Sequence, residues 1–412
     1  MTARRWPMLG LCFFGIMINY IDRSNFALAL PLIDKELHFG PAMSGLLLSA
    51  FFWLYTVALV PIGWLSDRFG IRIVYATCMI AWSLISMSTG LVGGVAGLLA
   101  LRLLMGLAEA GSFPTNAIVV ARWFPRAQRG LASSIWHSGI GIGSALAFPI
   151  VVTLIAAYGW RISFAGTGLL GVICGIVWLM AYRDPTQEEA LATQGSEARN
   201  HARIPTLSLL TCRPAVAMSL GFFLVNFVNF FFLGWFPSYL LHERGVNLRE
   251  LAYLGPMPTI AAIAGGLLGG VVADALFRRG WSITKARKTC LIGGLMAACL
   301  VVAAAMTANL YLAIGLFSLS FAGISFTSAN IQALPPEMAP SADQVGTISG
   351  FQMIGGAVSG IISNIIIGGL VEWTGSYIAP LAMLAALAVL AMLNYAFLLG
   401  PVQPLQIVGR SS

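Results

Sequence analysis

Charge is scarce in this chain of 412 residues. Asp, Glu, Lys and Arg make up 9% of it, against 58% hydrophobic residues. A soluble domain carries roughly 25% charged and 45–50% apolar residues. No soluble fold of this length could hide so much apolar surface, so the expected solvent is a lipid bilayer. Paired cysteines are missing too: Cys12, Cys78, Cys174, Cys212, Cys290 and Cys299 are scattered singly in or beside apolar runs and form no C-x-x-C. They read as reduced packing residues. No P-loop, metal-ligand cluster or nucleophile triad occurs, so nothing supports an ATP-driven device, an enzyme, a metal or a cofactor. The first apolar segment lacks an A-x-A-type site, and no cleavable signal peptide is expected. The formal charge of +8 would suit nucleic acid, but the basic residues cluster in loops on one side, and no nucleic-acid partner is expected.

What is abundant is apolar sequence of helical length. Twelve such windows run from 8–30 to 377–399, each long enough to cross the bilayer at ~20 residues per span. With both termini in the cytoplasm, the 23 Lys and Arg residues divide unequally. Lys35, Arg161, Arg244 and Arg249 fall outside, Arg23 and Arg102 fall within spans, and the other seventeen fall inside. That asymmetry fits the positive-inside rule and predicts a bacterial cytoplasmic membrane protein. The 45 glycines, spread through apolar segments, suit helices that pack closely. The longest polar stretch, 183–214, reads as a cytoplasmic linker between a half at 1–182 and a half at 215–412. Gly63-Trp64-Leu65-Ser66-Asp67 ends the second span and Gly270-Val271-Val272-Ala273-Asp274 ends the eighth. This echo predicts two six-helix halves built as repeats.

Four charges lie inside spans: Asp22 and Arg23 in the first, Arg102 and Glu109 in the fourth. A charge at the bilayer centre costs roughly 2.5–3.5 kcal/mol on insertion scales. Arg102 and Glu109 are about two turns apart and share a face some ~10 Å along the helix. Asp22 and Arg23 point ~100° apart around theirs, so they cannot share one target. One expected arrangement pairs Asp22 with Arg102 and leaves Arg23 free for a ligand. An arginine presents a planar fork matched to a carboxylate. A carboxyl that swaps between an apolar environment and the side of an arginine changes its proton affinity with conformation. The quartet therefore predicts protons and a small organic anion as partners. The alternative is two self-neutralising pairs that fix helix packing.

The stretch Gly63-Trp-Leu-Ser-Asp67-Arg68-Phe-Gly70-Ile-Arg72 resembles the G-x-x-x-D-R-x-G-R loop of the major facilitator superfamily, with Ile73 where a second basic residue is usual. Gly63 would permit close packing, and Asp67, Arg68, Arg72 and the echo at Asp274 would hold one conformation closed. A topogenic charged loop is the plainer reading. Further motifs are Asn19-Tyr20-Ile21-Asp22-Arg23-Ser24-Asn25, Arg102-x6-Glu109-Ala-Gly-Ser-Phe-Pro114, Trp123-Phe-Pro125-x3-Arg129-Gly130 and Trp235-x-Pro237-x-Tyr239. Together they resemble the anion:cation symporter family, which includes bacterial aldonate, hexuronate and aromatic-acid permeases. The resemblance implies an all-α membrane protein of twelve spans that acts as a monomer. It further implies that Arg23 holds the substrate carboxylate with Tyr20 and Tyr55 beside it, that Asp22 and Glu109 titrate, and that Arg102 couples them.

Three positions bear on the substrate. Ile140 stands where galactonate-type carriers place glutamine, Gly356 where many relatives carry Asn, and Asn229 precedes the run Phe230-Phe231-Phe232. Few hydroxyl partners and many aromatics lean toward a less hydroxylated or aromatic acid, with a sugar acid as the alternative. The plainer reading of the phenylalanines is lipid-facing packing. His137 is a pocket hydrogen-bonder or an interface residue rather than a proton relay. A drug:proton antiporter is disfavoured by the two intramembrane arginines. A non-transporting receptor for an organic anion would bind ligand without uptake.

Overall fold

The computed structural model describes residues 4–186, 206–340 and 344–405, apart from the side chains of Val60, Asp67, Arg126, Ala127, Thr206 and Leu207. The expected linker falls mostly on 187–205, outside the described residues; its end, Thr206–Thr211, forms a short 3₁₀ helix. The side chain of Asp67 is likewise outside them.

The first helix, α1 (Arg5–Leu37), has 33 residues, about 50 Å at 1.5 Å per residue. Asp34 ends it: its Oδ1 accepts from the backbone N–H of Phe39 at 3.1 Å and of Gly40 at 2.7 Å. That turn leads into α2 (Gly40–Phe69), and Gly70 alone separates α2 from α3 (Ile71–Thr89). Gly70 has φ +83°, which a side chain would strain; the glycine of the loop motif is therefore needed for a one-residue turn. The fourth span is broken. Its first part, α4 (Val95–Glu109), stops at Glu109, and α5 (Ser112–Trp123) begins after the turn Ala110–Gly111. Next come α6 (Arg126–Tyr158) and α7 (Trp160–Ala181), joined through Gly159.

The seventh span comprises α8 (Arg213–Phe230), a π-helical turn at Phe231–Trp235 and α9 (Phe236–His242). It is followed by α10 (Leu248–Leu254) and α11 (Pro256–Arg278). The remainder is α12 (Ile283–Ala298), α13 (Leu300–Met306), α14 (Leu310–Met338), α15 (Val345–Thr374) and α16 (Ile378–Leu393), with a π turn at Asn394–Leu398. Among the described residues, eleven helices are long and apolar enough to cross a membrane. The twelfth span is α1, whose polar run from Asn19 to Asn25 dilutes its apolar character. The architecture is that of a twelve-helix membrane protein.

The chain forms two compact units. The first is Met1–Ala198 with Leu233–Pro256; the second is Arg199–Phe232 with Met257–Ser412. In the first unit α1 packs on α6 and α7, α3 on α7 and α4, and α2 on α4. A β-carbon on Gly139 or Gly143 of α6 would meet the α1 backbone at Phe13 or Met17, so these glycines set the α1–α6 distance. In the second unit α8 packs on α15 and α12 on α14. There Gly265 and Gly269 abut α14 at Ala322 and Phe326, whereas Gly270 touches nothing. The phenylalanine run is not lipid-facing at two of its positions. Phe231 and Phe232 are buried, and Phe232 stacks on Phe321 at 4.3 Å between ring centroids.

Candidate functional site

Arg23 and Glu109 meet inside the first unit. Arg23 Nε donates to Glu109 Oε2 at 2.6 Å, with Glu109 fully buried and the Arg23 side chain 17% exposed. Three rings surround the guanidinium: its carbon lies 5.0 Å from the Tyr20 ring centroid, 4.4 Å from Phe51 and 5.1 Å from Tyr55. Phe51 and Tyr55 stack at 5.4 Å, as neighbours four apart on one helix face do. Desolvated cation–π contacts contribute up to about 2 kcal/mol each, so the rings hold the cation while leaving its N–H edge usable. Arg23 Nη2 and Glu109 Oε1 are buried and have no hydrogen-bond partner. The pair thus consumes one donor of the five on the fork.

Arg102 lies about two turns from Glu109 on the same helix. Its Nε donates to the carbonyl of Leu47 at 3.2 Å. Its guanidinium sits 4.2 Å from the Phe26 ring and 5.1 Å from Phe51. Phe51 therefore touches both arginines. The approach of α2 to α4 depends on Gly106, where a β-carbon would collide with the Phe51 carbonyl oxygen and lie 3.1 Å from Tyr55 N.

The expected Asp22–Arg102 pair does not form, and Arg23 is not left free. Asp22 turns to α3 and α7 instead: Ser86 Oγ donates to its Oδ1 at 3.2 Å, and Thr167 and Trp82 are its other polar neighbours. The seam continues through Asn25, which donates to Thr167 Oγ1 at 3.0 Å and accepts from Ser163 Oγ at 2.9 Å. The reason is the ~100° between successive helix positions. With Arg23 directed at α2 and α4, Asp22 must face another neighbour.

The remaining sequence candidates belong partly to the first unit and partly to the second. Ile140 is half-buried and packs against the apolar core of the first unit. Asn229 is half-buried on α8. Gly356 is half-buried on α15, where a β-carbon would press on the Phe222 ring. His137 is exposed, edge-on to Phe113 at 5.9 Å and to Trp136 at 3.8 Å. Gln352 is buried, and neither of its amide atoms has a partner. At the far end of α1, outside the bilayer core, Glu36 accepts from Arg161 Nη1 and Nη2 at 2.8 and 2.7 Å, and from Trp160 Nε1 at 2.8 Å. These bonds, Arg161 first, pull the Glu36 carboxyl down to about 2.

The Major Facilitator Superfamily model matches residues 12–363. The chain belongs to the Major Facilitator Superfamily. It is 31% identical to the probable galactarate/D-glucarate transporter GudP of Bacillus subtilis (strain 168), over 98% of this chain and 93% of that protein. It is 32% identical to the D-galactonate transporter of Escherichia coli O6:H1, over 97% and 96%. Among solved structures, a bacterial homologue of the human lysosomal transporter Spinster, inward-facing and occupied, superposes with a TM-score of 0.81. That match has 18% identity and covers 96% of this chain and 97% of the other; the likeness is one of fold. The superfamily member is therefore a multi-pass transporter and not an enzyme.

Within that family frame, the loop motif has a definite local structure. Arg72 Nε and Nη2 both donate to the carbonyl of Leu179, at 3.0 and 2.6 Å. Trp178 Nε1 donates back to the Arg72 carbonyl at 3.2 Å. Arg72 thus caps the last turn of α7, where a cation is favoured. Arg68 is exposed and lies 5.3 Å from the Trp64 ring, and Asp274 is exposed. Gly63 does not serve close packing, because a β-carbon there would meet nothing within 4 Å; it lies on a half-exposed face of α2.

Two features escaped sequence reasoning. Phe51 stands four before Tyr55, a spacing that placed it on the face already assigned to the pocket tyrosine. The second is a network in the second unit. Arg287 donates through Nε and Nη2 to Glu337 Oε1 at 3.0 and 2.6 Å, and through Nη1 to Asn330 Oδ1 at 2.9 Å. Asn330 Nδ2 in turn donates to the carbonyl of Gly269 at 3.1 Å. It joins α11, α12 and α14, and no spacing within one helix signals it.

Proposed function

We propose that this transporter is a proton-coupled symporter that takes up a sugar acid of the aldarate, aldonate or hexuronate class by alternating access. The observation that carries the reading is the buried Arg23–Glu109 pair, caged by Tyr20, Phe51 and Tyr55, with an orphaned Nη2 and an orphaned Oε1. Protonation of Glu109 removes its charge and releases Arg23. The freed fork then takes the substrate carboxylate bidentately. When Glu109 gives up its proton it reclaims Arg23 and expels the anion. Arg102 keeps a positive field on the site throughout, and Asp22 is the second titrating group, in its own seam with Ser86 and Thr167. At least one proton must accompany a monoanion against an inside-negative potential, which opposes it by ~2.3 kcal/mol per charge per 100 mV. The expected setting is the bacterial cytoplasmic membrane, with both termini in the cytoplasm.

The relatives, named for galactarate, D-glucarate and D-galactonate, support the sugar-acid alternative over the less hydroxylated or aromatic acid. The burial of Phe231 and Phe232 removes part of the ground for the aromatic lean. Ile140, Gly356 and Asn229 are retained as candidate determinants of which sugar acid is taken. Counterflow in proteoliposomes, with labelled galactarate, glucarate, galactonate and glucuronate against benzoate and short-chain acids, tests the reading. Exchange confined to benzoate or short acids would overturn the substrate class. Uptake that follows a sodium gradient and ignores a pH gradient would overturn the coupling.

A further inference from the structure

The first unit holds a set of buried polar side chains that the Arg23–Glu109 pair does not use. Asn19 of α1, Tyr75 of α3, and Ser112, Thr115 and Asn116 of α5 are each fully buried. No side-chain polar atom of any of the five has a hydrogen-bond partner, and neither does Oε1 of Glu109. The helices that carry them adjoin, α5 packing on both α1 and α3. Asn19 neighbours Glu109, and Ser112 neighbours Tyr75. Beyond Tyr75 the ring of Trp178 lies at 4.7 Å, and Tyr182 stacks on Trp178 at 4.4 Å. The Tyr182 hydroxyl donates to Asp184 Oδ1 at 3.2 Å, and Asp184 pairs with Arg122 at 2.7 Å at an exposed end of the unit.

Buried polar groups are nearly always paired, with protein or with ordered water. Asn19 with Glu109 and Ser112 with Tyr75 come near enough for weak polar contact, yet none of the five side chains makes a hydrogen bond of ordinary geometry, and together they offer water both donors and acceptors. A buried water needs two to four such partners, and two amides, two aliphatic hydroxyls and a phenol supply them. We infer that water occupies this seam between α1, α3 and α5 and carries the Glu109 proton to the Arg122–Asp184 end of the unit. The inference rests on the reading of Glu109 as a coupling carboxyl. The proton leaves Oε1 for a seam water, passes along water and the hydroxyls of Ser112 and Tyr75, and emerges on bulk water beside Asp184. Asn19 and Asn116 carry no proton; they hold the waters in place. The ionisable groups within electrostatic reach of Glu109 are Tyr20, Asp22 and Arg23 from α1, Tyr55 from α2 and Arg102 from α4, and those within reach of Tyr75 are Cys12 from α1, Cys78 from α3 and Cys174 from α7.

Hydroxyl-radical footprinting of the full chain by X-ray radiolysis reports buried side chains that touch water. The expected result is oxidation of Tyr75 despite its burial, lost in Asn116→Leu. In proteoliposomes, Asn116→Leu, Ser112→Ala and Tyr75→Phe should slow proton-driven accumulation at least about tenfold while counterflow stays within about twofold. An unlabelled Tyr75 would overturn the water site. Labelling with wild-type accumulation in all three variants would overturn the proton route. An equal fall in counterflow and accumulation in the conservative Tyr75→Phe would assign the seam to packing alone. If wild-type uptake ignored a pH gradient, the coupling itself would fail, and the footprint would still decide whether water is there.

Discussion

Arg23 and Glu109 are joined through one nitrogen and one oxygen at 2.6 Å, and each keeps a second buried polar atom without a partner. The pair holds a donor and an acceptor in reserve.

Glu109→Gln keeps the shape of the side chain and removes its charge. Arg23 is then no longer held by an anion, so counterflow should persist. If Glu109 is the coupling carboxyl proposed above, proton-driven accumulation should fall at least about tenfold. Labelled uptake into proteoliposomes, with and without an imposed pH gradient, separates the two.

Gly106→Ala adds a β-carbon against the Phe51 carbonyl. The obstacle is backbone, so α2 and α4 must part. Overpacking of this kind costs typically about 1–3 kcal/mol. A lower melting temperature in detergent should accompany reduced transport, because the same shift moves Phe51 and Tyr55 away from Arg23.

Among the described residues, Glu337→Ala leaves Arg287 with Asn330 as its remaining side-chain partner. The pair is mostly buried, at 15% and 22% exposure, so losing the acceptor should destabilise by about 1–3 kcal/mol. A double-mutant cycle with Arg287→Ala should show a coupling energy of about 0.5–3 kcal/mol. Additive losses would mean that the network contributes nothing as a unit.

Glu36 supplies the pH prediction. Its folded value of about 2 lies below the usual 4.5. The stabilisation is therefore fully present above pH 4.5 and is lost as pH falls through about 2. The difference in melting temperature between the wild type and Glu36→Gln should be constant near neutrality and shrink across that window. The effect should be small, since both partners are more than a third exposed and solvent screens them.

The spans were legible because apolar runs of helical length have few other readings. The charged residues of the candidate site were legible because charge in such a run is costly. Their pairing was not. Whether Arg23 meets Glu109 or a ligand depends on the rotation of α1 and on which helix adjoins each face, and sequence spacing fixes neither. Asp22 illustrates this: its partners come from α3 and α7, sixty residues and more away in sequence. Gly63 failed for a related reason. A glycine in a loop motif suggests contact, but among the described residues a β-carbon at Gly63 would meet nothing within 4 Å.

Phe51 lies under two guanidiniums at once, 4.4 Å from that of Arg23 and 5.1 Å from that of Arg102. Substitutions at this ring will therefore be epistatic with both arginines. A substrate or pH phenotype at position 51 cannot be credited to either cation from a single variant, and natural variation among the three positions should be constrained as a trio rather than site by site.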